Sequence, residues 1–82
     1  MNLIVLTPER KVFEGAITSV KIPGITGQFE VLRNHAPMVS ALGEGKVRII
    51  EKGGTNKTFE IEKGFIEVLN NDVALLVQGV KE

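Results

Sequence analysis

Phe65-Ile66-Glu67-Val68-Leu69-Asn70-Asn71-Asp72-Val73-Ala74-Leu75-Leu76-Val77-Gln78 is the only run longer than nine residues that contains no Gly or Pro. Even this run is interrupted, by the turn-prone cluster Asn70-Asn71-Asp72. A typical helix takes about 11–12 residues and a strand about 5–6, so the lengths on either side suit strands. Both sides are rich in Val, Ile and Leu, and the β-branched residues among them favour a pleated surface. The stretch therefore predicts two strands, Phe65–Leu69 and Val73–Val77, joined by a tight turn. Ile66 and Val68 alternate against Phe65, Glu67 and Leu69, so the second face is apolar except for a single Glu. The expectation is a strand held between two packed layers.

Outward from this stretch, nine Gly and three Pro cut the chain into pieces of strand length. Thr58-Phe59-Glu60-Ile61-Glu62 alternates polar and apolar, which turns Phe59 and Ile61 to a core and the Glu pair to water. By the same period Ala16, Thr18, Val20 and Ile22 share one face, with Ser19 and Lys21 opposite, beside Ile17. Leu3 to Leu6 and Val73 to Val77 are continuous apolar runs, the pattern of central strands covered on both sides. Lys52-Gly53-Gly54-Thr55-Asn56-Lys57 reads as a hairpin loop between Val47–Glu51 and Thr58–Glu62. No amphipathic helix, internal repeat or linker interrupts the series. The expected fold is all-β: a two-sheet β-sandwich or flattened barrel of about eight to ten short strands, in one domain over residues 1–82.

Composition narrows the function classes. Ten Lys+Arg balance ten Asp+Glu, so the formal net charge is zero. A nucleic-acid binder needs a basic excess on one face, and docking on anionic lipid needs the same. Without Cys, neither a disulfide framework nor a thiolate zinc site can form. The N-terminal apolar run is four residues, Leu3 to Leu6, with no basic segment before it, so no secretion signal is expected. No stretch approaches the roughly 20 apolar residues of a membrane-spanning helix. A chain this short buries only about 60–65% of its unfolded surface, so a partner surface would help its stability.

Candidate chemistry is sparse. A Ser-His-Asp triad would have to use Ser19 or Ser40, His35 and Asp72, and neither serine has a nucleophile-elbow context. Glu60 and Glu62 are paired carboxylates on a solvated face, where neither pKa would be raised for acid catalysis. Gly43-Glu44-Gly45-Lys46 lacks the first Gly of a phosphate loop and has Val47 at the hydroxyl position. A lipoyl-type carrier would present its lysine at a hairpin tip, whereas Lys46 begins a strand. An oligonucleotide-binding barrel wants aromatic platforms in a basic groove, and four Phe with no Trp or Tyr supply few. His35 has no second metal ligand nearby and reads as a loop histidine bonded to local backbone. The chain is expected to be non-catalytic, with no metal and no cofactor.

The segment from Pro23 to Val39 is explained less well by packing. Gly24 and Gly27 permit angles that β-branched residues resist, and Ala36 before Pro37 is held extended. Ile25, Phe29, Met38 and Val39 are interleaved with these turn residues. Turn-rich segments run over the surface, so some of the four are exposed to a partner, or else all four fill the ends of the core.

Taken in order, the chain resembles the N-terminal β-sandwich domain of the epsilon subunit of F-type ATP synthase. The resemblance is carried by Val5 to Pro8, Val12-Phe13-Glu14-Gly15, Pro23-Gly24 with Gly27, and Val31-Leu32. It continues through His35-Ala36-Pro37, Leu42, Gly45-Lys46-Val47 and Gly64-Phe65-Ile66-Glu67-Val68. A His-Ala-Pro following Pro-Gly-x-x-Gly is its most specific part. Glu30, Arg33 and Lys63 depart from it where Gly, Pro and Gly are common, which bears on loop geometry.

The resemblance implies a rotor part of the central stalk that couples proton flow to ATP synthesis and hydrolysis. It implies contact with the gamma subunit and the ring of c subunits, and indirectly with the alpha/beta hexamer where the chemistry occurs. Carried over by position, Thr26, Gly27, Gln28, Phe29 and Glu30 face the ring, and His35, Met38 and Ser40, with Thr7 adjoining, lie toward gamma. The implied location is the cytoplasmic face of a bacterial plasma membrane, peripheral through the complex, with no lipid insertion. Family members commonly continue into an inhibitory C-terminal helical hairpin. The sequence stops at Val80-Lys81-Glu82, so the expectation is a form without that hairpin. The competing reading is a freestanding β-sandwich binding module or a lipoyl-type carrier.

Overall fold

Each piece of five residues or more between the Gly and Pro breaks contributes at least part of a strand. The computed structural model describes all 82 residues. Its eight strands are β1 (Asn2–Leu6), β2 (Lys11–Gly24), β3 (Gly27–Leu32), β4 (Met38–Leu42), β5 (Gly45–Glu51), β6 (Asn56–Ile61), β7 (Lys63–Leu69) and β8 (Asp72–Gln78). Neighbouring strands follow the order β1-β8-β7-β4-β2-β5-β6, with β3 added on β2 and β1 returning to β2. This is a flattened, closed sandwich.

Strand β2 belongs to both layers. Its first part, Lys11 to Ala16, pairs with β1, and Ser19 to Gly24 lies between β3 and β5. One layer is therefore β3-β2-β5-β6 and the other β2-β1-β8-β7-β4, with the pairing of Gly24 and Leu42 closing the circuit. The crossing is made by a bulge: Ile17 pairs with Glu51 and Ser19 with Ile50, leaving Thr18 without a partner residue. The extra residue inverts the side-chain alternation. Phe13 and Ile17 are buried before it, and Val20 and Ile22 after it, while Thr18 is exposed. The uniform alternation read for Ala16 to Ile22 is corrected here, because a single period cannot pass through a bulge.

The β7–β8 turn forms at the expected cluster. Asn70 and Asn71 have φ of 50° and 64°, left-handed values that Asn tolerates better than other non-glycine residues and that match a two-residue hairpin. Phe59 and Ile61 face the core, as their alternation requires. Seventeen buried apolar side chains, at least one from every strand, form a single cluster, so no strand can leave without opening the core. Phe29 and Met38 pack against its margin, whereas Ile25 and Val39 are exposed. The turn-rich segment thus divides between the two roles open to it. After β8 the chain reverses at Gly79 (φ 73°), and Lys81 pairs with Glu60 to cover part of the β6 edge.

Candidate functional site

A sandwich of two layers has two outer faces, and in this one they differ in chemistry. On β7, Ile66 and Val68 point inward, and Phe65, Glu67 and Leu69 point out. Register carries the outward rows across the layer: Ala41 beside Phe65, Phe65 beside Leu76, Leu76 beside Leu6, and likewise Val39 beside Glu67, Ala74 and Ile4. Val39 is 72% exposed, Phe65 57%, Leu76 53% and Leu69 52%. The earlier expectation that β1, β7 and β8 are covered on both sides is therefore corrected. The chain contains no third layer to cover them. The β1–β8 pairing is parallel and every other strand pairing is antiparallel.

This apolar face deepens at one end. Leu6, Thr7 and Pro8 on one side and Ala41, Phe65 and Leu76 on the other line a depression of about 630 Å³. Thr7 sets its rim: the hydroxyl accepts from the amides of Glu9 (3.2 Å) and Arg10 (3.0 Å) and donates to the Arg10 carbonyl (3.1 Å). At the opposite end of the layer lies the β3–β4 loop with His35. Its Nδ1 sits 2.7 Å from the Ala36 carbonyl oxygen, the local bonding expected for it. Met38 and Ser40, half-buried, alternate with exposed Val39 and Ala41 along β4. Thr7, Met38, Ser40 and His35 thus border or underlie one face.

The β2–β3 turn is a second, separate place. Gly24 pairs with Gly27, leaving Ile25 and Thr26 as the tip. A Cβ at Gly24 would stand 2.8 Å from Phe29 Cε1, so glycine here is what lets the Phe29 ring lie over the turn. Thr26, Gly27, Gln28 and Glu30 are exposed and Phe29 half-buried. The tip is beside the β4–β5 turn, where the Gly43 amide donates to the Pro23 carbonyl (2.8 Å).

No group of three or more His, Asp or Glu side chains is arranged to hold a metal ion. Ser19 is buried, and Lys46 stands opposite Glu60 inside the β5–β6 ladder, away from any hairpin tip. Phe65, Leu69 and Leu76 are the surface residues that sequence periodicity missed. The signal that would have found them is layer counting: a chain of eight short strands and no helix leaves every strand an outside.

Comparison with known proteins gives a consistent answer. The family described as "ATP synthase, Delta/Epsilon chain, beta-sandwich domain" matches residues 1–82. The ATP synthase epsilon chain of Chlorobium limicola is 41% identical over 79 residues, covering 96% of this chain and 90% of the relative. That of Caulobacter vibrioides is 38% identical over 82 residues, covering 100% and 94%. That of Leptospira borgpetersenii is 42% identical, and this chain spans 59% of it. Among solved structures, a chain of the Euglena gracilis mitochondrial ATP synthase assembly superposes with a TM-score of 0.88 at 20% identity. The match covers 96% of this chain and 51% of that one, and it supports the fold.

Proposed function

Since the chain belongs to the ATP synthase delta/epsilon β-sandwich family, we propose that it is a non-catalytic rotor subunit linking gamma to the c-ring. In this role it couples proton flow to the synthesis and hydrolysis of ATP carried out by alpha and beta subunits. Gamma takes the outer face of β4-β7-β8-β1, with Thr7 at one end, His35 at the other, and Met38 and Ser40 beneath. The β2–β3 segment Thr26–Glu30 meets the ring. The subunit is peripheral at the cytoplasmic face of a bacterial plasma membrane and reaches the membrane through protein. Inhibition by a helical hairpin forms no part of what these 82 residues offer, since they contain no helix.

One observation carries this reading: the uncovered apolar face around Val39, Phe65 and Leu76. Apolar patches of this kind mark protein contacts, and removing them from water supplies most of an interface's driving force. An interface of standard size covers about 800 Å² on each partner. That is roughly a sixth of the 4958 Å² this chain exposes, so docking contributes heavily to its stability. A close-packed core of low compressibility suits a part that must pass torque without yielding.

The test is association with purified gamma. A stable complex at micromolar concentration is expected, and failure to associate would remove the basis of the proposal. In the assembled enzyme, a Gln28→Cys variant should crosslink to a ring subunit. Crosslinking only to alpha or beta would contradict the placement of the β2–β3 turn.

A further inference from the structure

The β3–β4 loop, Arg33 to Pro37, carries His35, yet within the loop the backbone holds itself only by the His35 amide donating to the Leu32 carbonyl (3.2 Å). Its tie to the rest of the fold is a pair of asparagines. The Asn34 amide donates to Asn71 Oδ1 (2.7 Å), and Asn71 Nδ2 donates to Asn34 Oδ1 (3.2 Å). The two residues are 37 positions apart in sequence. Asn71 is itself fixed, because its carbonyl accepts from the Asn2 amide at 2.9 Å and the residue is half-buried in the β7–β8 turn.

Both asparagines are left-handed, with φ of 66° at Asn34 and 64° at Asn71. Glycine is the easiest residue to place at such angles, and asparagine is tolerated. Glycine would satisfy the backbone at either position but could not form the pair. The choice of Asn at both ends of one reciprocal contact is what turn geometry alone leaves unexplained.

We infer that Asn34 and Asn71 form a clamp that positions the His35 loop for docking on the partner. The clamp fixes this loop against the end of the β4-β7-β8-β1 face, so that loop and face present one preformed surface. Ordering a loop in advance spares the entropy of ordering it on binding. The clamp is a positioning device, and its role in docking rests on the proposed gamma contact.

Asn71→Gly is the informative variant, because it keeps the left-handed backbone and removes only the side chain. Hydrogen exchange on the isolated chain is expected to quicken about tenfold at the Asn34 amide, the loss of one to two ordinary hydrogen bonds. Calorimetric affinity for purified gamma should fall about threefold to tenfold. The crosslink from Gln28→Cys to the ring should keep its yield, which a general loss of structure would not allow. Asn34→Gly removes one of the two bonds and should shift both readouts less, in the same direction. Unchanged exchange at Asn34 overturns the clamp, whatever gamma does. Faster exchange with unchanged gamma affinity overturns its role in docking. A wild-type chain that binds no gamma overturns the functional reading and the docking role with it, while the exchange result still decides the clamp.

Discussion

The two outer faces of this small sandwich are built on the same inner core and carry opposite chemistry. Over β3-β2-β5-β6 the outward rows are Glu30, Lys21, Arg48 and Thr58, then Lys46 beside Glu60, and toward the other end Leu32, Ser19 and Ile50. Over β4-β7-β8-β1 they are Val39, Ala41, Phe65, Leu76 and Leu6, with Glu67 the acidic residue among them. The first face is mostly polar and is satisfied by water. The second is not, and its apolar side chains lose free energy for as long as they stay wet. The difference teaches that one inner core can carry two unlike outsides, and that the apolar one is where a partner would be recognised under the proposed function.

The comparison can be broken most severely in the core that both faces share, where Val20→Asp would set an unpaired carboxylate on the inner side of β2 between β3 and β5. An uncompensated buried charge is among the largest single-site losses, and at least ~4 kcal/mol is expected in urea unfolding. Next comes the inward neighbour of the face: Ile66→Ala should cost about 2–5 kcal/mol of stability. Phe65→Ser, one residue away but pointing out, should leave stability within about 0.5 kcal/mol. Its cost falls on gamma affinity, about 2 kcal/mol or some 30-fold by calorimetry. The smallest effect belongs to the charged face, where Arg48→Ser should move stability and gamma affinity by less than about 0.5 kcal/mol each. Equal losses of gamma affinity from Phe65→Ser and Arg48→Ser would erase the distinction between the faces.

Much of this was legible in the residues themselves. Gly and Pro spacing delimits the strands, Asn70-Asn71 marks the β7–β8 turn, and the alternation of Phe59 and Ile61 gives their inward phase. Two things were not legible. The bulge at Thr18 leaves no local mark, because Thr suits a regular strand as well as a bulged one. The outer face was misread because a continuous apolar run looks the same whether its second side meets another layer or a partner molecule. Periodicity reports which side chains avoid water, and only the number of layers tells what covers them. Of the residues assigned by resemblance, Thr7 and His35 lie at the two ends of the layer that carries the apolar face, while Met38 and Ser40 have the inward phase of β4 beside Val68 and Ile66.

The most direct test of the central claim is a methyl chemical-shift footprint of gamma on the isotopically labelled chain. Gamma should perturb Val39, Leu69, Leu76 and Ile4 and leave Ile50 and Thr58 on the opposite face unchanged. Perturbation centred on Ile50 and Thr58, with Val39 and Leu76 untouched, would contradict the account.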